Sequence, residues 1–199
     1  MKNKLGILSV VLGAALLVSA LLLFLFNNFD AKRAQRASEE ILASLLSYIV
    51  SDDGIQINPY DTVMKDVEIN GIGYVGYLSI PALDLALPVA AECDNNTMKD
   101  SVCRYSGSVN ECNMVIAGHN YSRHFGKLPK LKTGDKVMFT DIGGKTSAYA
   151  VYELETLPPA AVDEMTAGEA DLTLFTCTYS GQARFTVRCE LQNSEQSDN

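Results

Sequence analysis

From Leu5 to Phe26 the chain runs 22 residues without a charge or a proline, most of them Leu, Val and Ala. No other feature restricts the fold as much. About 20 apolar residues cross the bilayer core as a helix, whereas in water such a stretch would have to be covered by the rest of the protein. A secretory leader has a shorter apolar region, about 7–15 residues, followed by a small-x-small cleavage site. Val18-Ser19-Ala20 has that form, but the apolar run continues through Leu21–Phe26. Residues 5–26 are therefore read as an uncleaved transmembrane anchor behind a four-residue terminus, 1–4. Charge leaves the orientation open, because Lys2 and Lys4 flank one side and Lys32, Arg33 and Arg36 the other.

Ala31–Val50 carries Ile41, Leu42, Leu45, Leu46 and Ile49 at spacings of three and four. That is one apolar stripe on a juxtamembrane helix, broken by Ser51-Asp52-Asp53-Gly54. Residues 51–73 are polar and contain the turn signal Asn58-Pro59-Tyr60-Asp61, so 27–73 reads as helix plus linker. From Tyr74 onward the pattern is short β-type runs between turns. The runs are Tyr74–Ile80, Leu83–Val89, Asn113–Ala117, Lys136–Thr140, Ser147–Leu154, Leu172–Cys177 and Arg184–Leu191. Such spacing predicts an all-β barrel or sandwich over 74–192. Helical pieces are expected at Asn95–Asp100, His124–Leu131 and Ala161–Gly168, and a disordered polar tail at 193–199. In the last run, Phe185, Val187, Cys189 and Leu191 alternate with Arg184, Thr186, Arg188 and Glu190, which predicts one core face and one polar face.

With 24 Asp+Glu against 16 Lys+Arg the net charge is -8, and no basic stripe interleaves with aromatics. Nucleic acid is thereby excluded as a partner. Neither the five cysteines (93, 103, 112, 177, 189) nor the two histidines (119, 124) have zinc-site spacing. No metal site or cofactor is expected, and calcium modulation is not indicated. Cys93, Cys103 and Cys112 are close enough in sequence for one disulfide outside the cell; buried free thiols are the alternative, and the sequence does not choose.

Three residues carry potential chemistry. His119 in "VIAGHNYSRHF" follows a predicted strand, Cys177 ends another in "LTLFTC", and Arg184 opens the last. Strand ends let a rigid sheet hold reactive groups beside loops. An accessible thiolate is a nucleophile, a histidine moves protons near neutral pH, and a guanidinium donates two hydrogen bonds to an oxyanion. Each also has a plain structural reading, as core thiol, turn residue and surface residue. Those readings stand as long as only type and spacing are considered.

The wording around them goes further. "TLFTC" (Thr173–Cys177), "AGHN" (Ala117–Asn120) and the arginine that opens the final strand occur in order. "YLSIPALDLALPV" precedes them, and "HFGKLPKLKTGDKVMFTD" follows the histidine. From about Gly76 to Leu191 the chain resembles the sortases, cell-surface cysteine transpeptidases of Gram-positive bacteria. The resemblance implies a mainly β fold, an eight-stranded sortase β-barrel with short helices, behind the transmembrane and juxtamembrane helices. It implies Cys177 as nucleophile, His119 as general acid/base and Arg184 as oxyanion or substrate clamp. The partners it implies are surface proteins with an LPxTG-like C-terminal sorting signal, and a peptidoglycan or pilin amine as acceptor. The implied location is the cell membrane, with the N-terminus cytoplasmic and the catalytic domain extracellular.

Arg188 shares Arg184's strand face but lies about 13 Å further along, and His124 lies beyond the GH motif. Both are weaker candidates for these roles. "GHN" and "TCTYSGQARF" lean toward class B-like sortases, whereas the short stretch between Leu154 and Leu172 fits a class D-like member. The alternatives carried forward are a pilin-polymerising sortase with a lid at Asn58-Pro59-Tyr60, a membrane-anchored cysteine endopeptidase using water, and a non-catalytic surface adhesin.

Overall fold

The structure is a computed structural model; it describes residues 2–51, 64–94, 96–166 and 170–192. The expected linker turn at Asn58–Asp61, with its lid, and the expected tail at 193–199 lie outside the described residues. The chain divides into two compact units, Met1–Arg33 and Ala34–Asn199.

The first unit is helical and belongs to helix α1, Lys2–Ser51. Its large apolar side chains, from Ile7 to Phe29, are exposed. Among the described residues α1 is the one helix long and apolar enough to cross a membrane. No break separates this part of α1 from the expected juxtamembrane helix, because Asn27–Ala31 contains neither glycine nor proline.

In the second unit, the end of α1 lies against a β-barrel along the expected stripe. Leu45 is fully buried, with Ile41 and Ile49 packed into the same cluster, while Leu46 falls at the exposed rim. The barrel strands are β2 (Ile72–Ile80), β3 (Leu85–Ala90), β4 (Val102–Ser106), β5 (Met114–Ala117), β6 (Lys136–Asp141), β7 (Thr146–Leu157), β8 (Leu172–Cys177) and β9 (Arg184–Leu191). The order β2-β3-β4-β5-β8-β9-β7-β6 closes through β2–β6, giving the eight-stranded barrel that the resemblance implied. A ninth strand, β1 (Val67–Ile69), is a short hairpin partner on β2.

Seven of the eight barrel strands are visible as apolar runs. β4 is not, because "VCRYS" has only two clear core residues, and β4 gains its place by pairing with its neighbours. It runs parallel to β3 and antiparallel to β5. β3 starts two residues later than expected, since Pro81–Leu83 forms a 3-10 turn. Pro88 stands opposite Tyr77 of β2 and lies just outside the short ladder with β4, which pairs only Val89 and Ala90. The three helical pieces are observed as α2 (Thr97–Asp100), a 3-10 stretch Phe125–Lys130 and α3 (Val162–Thr166), the expected ends at Asn95 and Gly168 lying outside the described residues.

Closure depends on one glycine. Gly76 has φ +153, and a Cβ there would stand 2.1 Å from the Thr140 carbonyl oxygen on β6. Only glycine lets β2 approach β6 at that bulge. Inside the ring, Leu78, Ile80, Leu87, Val89, Ile116, Phe139, Val151, Leu174 and Val187 form one core. Outside it, Tyr74, Ala90, Val115, Ala117 and Phe175 form a second apolar cluster with Leu45.

Cys93 and Cys103 form a disulfide, with Cys112 and Cys189 free. The bridge ties the β3–β4 connection to β4. The Cys103 sulfur lies 3.7 Å from the Ala117 carbonyl oxygen, a contact only, since the bridged sulfur carries no hydrogen. Closing a loop of this length stabilises by about 2–3 kcal/mol through the unfolded chain. Cys93→Ala is expected to lower stability by that amount, read from urea denaturation, with a larger m-value because the unfolded chain without the bridge is less compact.

Candidate active site

The candidate residues come from three neighbouring strands, β5, β8 and β9. Cys177 is the last residue of β8, and Arg184 is the first of β9, directly opposite it in antiparallel register. Directly opposed residues point to the same face. That face is the outside of the barrel wall, because Leu172 and Leu174 point into the core and Phe175 into the outer cluster. On the other side of β8, β5 runs parallel, with Ala117 level with Phe175. The Gly118 N–H donates to the Phe175 carbonyl at 3.2 Å. This carries the register past the end of β5 and brings His119 to the level of Cys177, one strand spacing away, about 4.8 Å between backbones. The backbones of His119, Cys177 and Arg184 thus lie at one level across three neighbouring chain segments.

Two loops fix their directions. Thr178–Ala183 folds on itself: the Thr178 N–H donates to the Ala183 carbonyl at 2.9 Å, and the Gly181 N–H to the Thr178 carbonyl at 2.8 Å. One guanidinium nitrogen of Arg184 donates to the carbonyls of Gly181 and Ala183, each at 3.2 Å. The arginine is held by its own turn. The loop after β5 is drawn tight by the Phe125 N–H, which donates to the His119 carbonyl at 3.1 Å. Gly118 permits this, since a Cβ would stand 2.8 Å from both the Phe125 ring and Val102.

The other titratable residues have separate tasks. Arg188 is nearly buried and donates to Glu155 at 2.8 Å, to the Thr173 hydroxyl, and to the main-chain carbonyls of Glu164 and Met165. It pins α3 to the barrel beside the site. The face of β9 that carries Arg184 is therefore open at its two ends, at half-buried Arg184 and exposed Glu190, while Thr186 and Arg188 between them are buried instead of forming the expected polar face. Alternation puts Arg188 on this face, but Glu155 could not be found from sequence. A register shift at Val151/Glu153 decides which β7 residue meets Arg188. Cys189 is a core residue whose thiol burial pushes up to about 12. Among the described residues there is no cluster of His, Cys, Asp and Glu able to hold a metal ion.

His124 is fully buried, and neither of its ring nitrogens has a hydrogen-bond partner among the described residues. Burial, with a smaller contribution from nearby His119, brings its pKa down to about 4.

The arrangement can place a nucleophile, a proton carrier and an anion-binding group around one carbonyl carbon. Residues 78–192 match the family described as Sortase domain. Among solved structures, the chain is similar to sortase C1 from Streptococcus agalactiae, at 26% identity and TM-score 0.56, over 64% of this chain and 72% of that one. A sortase C1 from Streptococcus suis is also 26% identical, at TM-score 0.54, over 63% and 76%. A Clostridium perfringens sortase D5 transpeptidase shares the fold at 17% identity and TM-score 0.62, over 79% of this chain and 99% of that one. Among curated proteins, none matches the chain.

Two outcomes follow. A thiol reagent at pH 8 is expected to alkylate Cys112 and Cys177 in the folded chain and leave Cys189 unmodified, as read by peptide mass spectrometry. The second concerns pH. His124 binds no proton in the fold above about pH 4, whereas an unfolded histidine binds one below about pH 6.5. Its effect is absent above pH 6.5, and stability falls as pH drops from there towards 4, by up to about 3 kcal/mol. Denaturant curves of His124→Phe should lack that loss.

Proposed function

The chain belongs to the sortase family, and we propose that it is a membrane-anchored cysteine transpeptidase with Cys177, His119 and Arg184 as its catalytic residues. The observation that supports this reading is the backbone register, which pairs Cys177 with Arg184 and ends β5 two residues before His119 at the neighbouring level. The substrate is the C-terminal sorting signal of a surface protein, of LPxTG-like type. The acceptor is an amine of the cell-wall cross-bridge.

In the first half-reaction the Cys177 thiolate adds to the scissile carbonyl carbon, and the C=O π electrons move to oxygen. Arg184, paired with Cys177 in the β8–β9 register, stabilises that oxyanion with its guanidinium by charge-assisted hydrogen bonds. His119 donates its proton to the amide nitrogen as the C–N bond breaks, so the leaving group departs as a neutral amine. The thioester formed between Cys177 and the substrate acyl group is then attacked by the acceptor amine. His119 takes a proton from that amine, the C–S bond breaks, and the thiolate is regenerated with a new amide. The net change exchanges one amide for another and needs no oxidant or cofactor.

The apolar part of α1 serves as the anchor. The Cys93–Cys103 disulfide favours a barrel outside the cytoplasm, where such bonds persist; the amino terminus is then cytoplasmic. An endopeptidase would use the same first half-reaction and differ only in its acceptor.

The test uses the full chain in detergent micelles with a sorting-signal peptide, with and without an amine such as triglycine. Wild type should yield a ligated product when amine is present and a thioester on Cys177 detectable by intact-mass analysis. Cys177→Ala should lose all turnover. His119→Ala is expected to lose about 10²–10⁴-fold, and Arg184→Ala about 10²–10³-fold. Cleavage without ligation at any amine concentration would make the chain an endopeptidase.

A further inference from the structure

The loop that carries His119 holds a second imidazole that this chemistry leaves unused. His124 is completely enclosed, and both of its ring nitrogens are without a hydrogen-bond partner among the described residues. Leucine would fill such a position without stranding two polar atoms, so packing alone does not account for a histidine. What the ring does have is an aromatic neighbour that also touches His119. The His119 and Tyr121 centroids are 5.3 Å apart at an interplanar angle of 49°. Those of Tyr121 and His124 are 5.6 Å apart at 53°. Tilted rings at this spacing present an edge of one to the face of the other, and an imidazole N–H without a conventional acceptor can donate to an aromatic face.

The main chain closes around the same three residues. The N–H groups of His124 and Gly126 both donate to the Tyr121 carbonyl, at 3.0 and 2.9 Å, while that of Phe125 binds His119. His119 itself is only half-buried and stands past the end of its strand, where the sheet no longer fixes its side chain. A general acid has to present its proton within hydrogen-bond reach of the departing nitrogen, and small misplacements are costly.

We propose that His124 is a positioning residue for His119: its buried ring backs Tyr121, and Tyr121 holds the His119 imidazole in the orientation from which it protonates the leaving amine. The proposal rests on the acyl-transfer reading. Because burial keeps His124 uncharged at neutral pH, it brings no like charge against the His119 imidazolium.

The experiment compares two substrates on the full chain in micelles. One is the amide signal peptide, whose amine must be protonated to leave. The other is a thioester analogue, whose thiolate leaves without a proton. In His124→Leu and in Tyr121→Leu, the single-turnover rate of amine release from the amide is expected to fall about tenfold or more, with KM and the single-turnover release of thiolate from the thioester, which precedes any proton removal by His119, each within about twofold of wild type. Because both act through one stack, the double variant should be no slower than the slower single one. The His119 imidazole resonances, one of only two histidine sets in the chain, should shift in both variants without substrate. Equal losses on amide and thioester, full amide activity in His124→Leu, or additive losses in the double variant would each overturn the proposal. If wild type turns over neither substrate, the transpeptidase reading itself fails; unmoved His119 resonances then also sink the stack.

Discussion

The parallel ladder between β5 and β8 is the constraint on which the site depends. β5 contributes only four residues, Met114–Ala117, yet each is paired with one residue of Leu172–Phe175. A slip of one residue would turn Val115 and Ala117 from the outer cluster into the core and move His119 away from the level of Cys177. The register is fixed because Met114 and Ile116 are fully buried on one face, while Val115 and Ala117 are buried on the other. Hydrophobic contacts on both faces therefore hold the level of the proposed site residues, whose own side chains take no part in setting it.

The antiparallel partner of β8 contributes differently. β9 meets β8 over six residue pairs and β7 over eight, so Arg184 starts a strand supported on both sides. Its guanidinium is turned back to the two carbonyls of the connecting turn. One nitrogen is engaged in keeping the side chain in place, which leaves the other donors of the fork for a ligand. Support of this kind comes from the turn, and among the described residues no carboxylate takes part in the hydrogen bonds of this cation.

Much of this was legible in the sequence, and what was hidden has physical reasons. Alternation in Arg184–Leu191 placed Val187 and Cys189 in the core, and the end of the Leu172–Cys177 run placed Cys177 at a strand end. β4 was hidden because "VCRYS" shows no clear period and depends on its neighbours. Choosing Cys103, rather than Cys112, as the partner of Cys93 required knowing that β4 runs parallel to β3. His124 could be found as a residue but not as a buried one: beside Arg123 and Ser122 it reads as part of a polar loop, and only the docking of Phe125 beneath Gly118 encloses it. The Arg188–Glu155 pair depended on a register shift that no residue type announces.

Arg188 grips α3 through the carbonyl oxygens of Glu164 and Met165, and those belong to the main chain, whatever side chains follow. The wall beside the site is thus mounted by a fitting that does not read its sequence. Buried Met165 apart, the exposed side chains of α3, Val162, Asp163 and Glu164, can be exchanged for others of different size and charge while the mount stays intact. A lineage of such proteins could in this way change the surface beside Cys177 while leaving the strand register untouched.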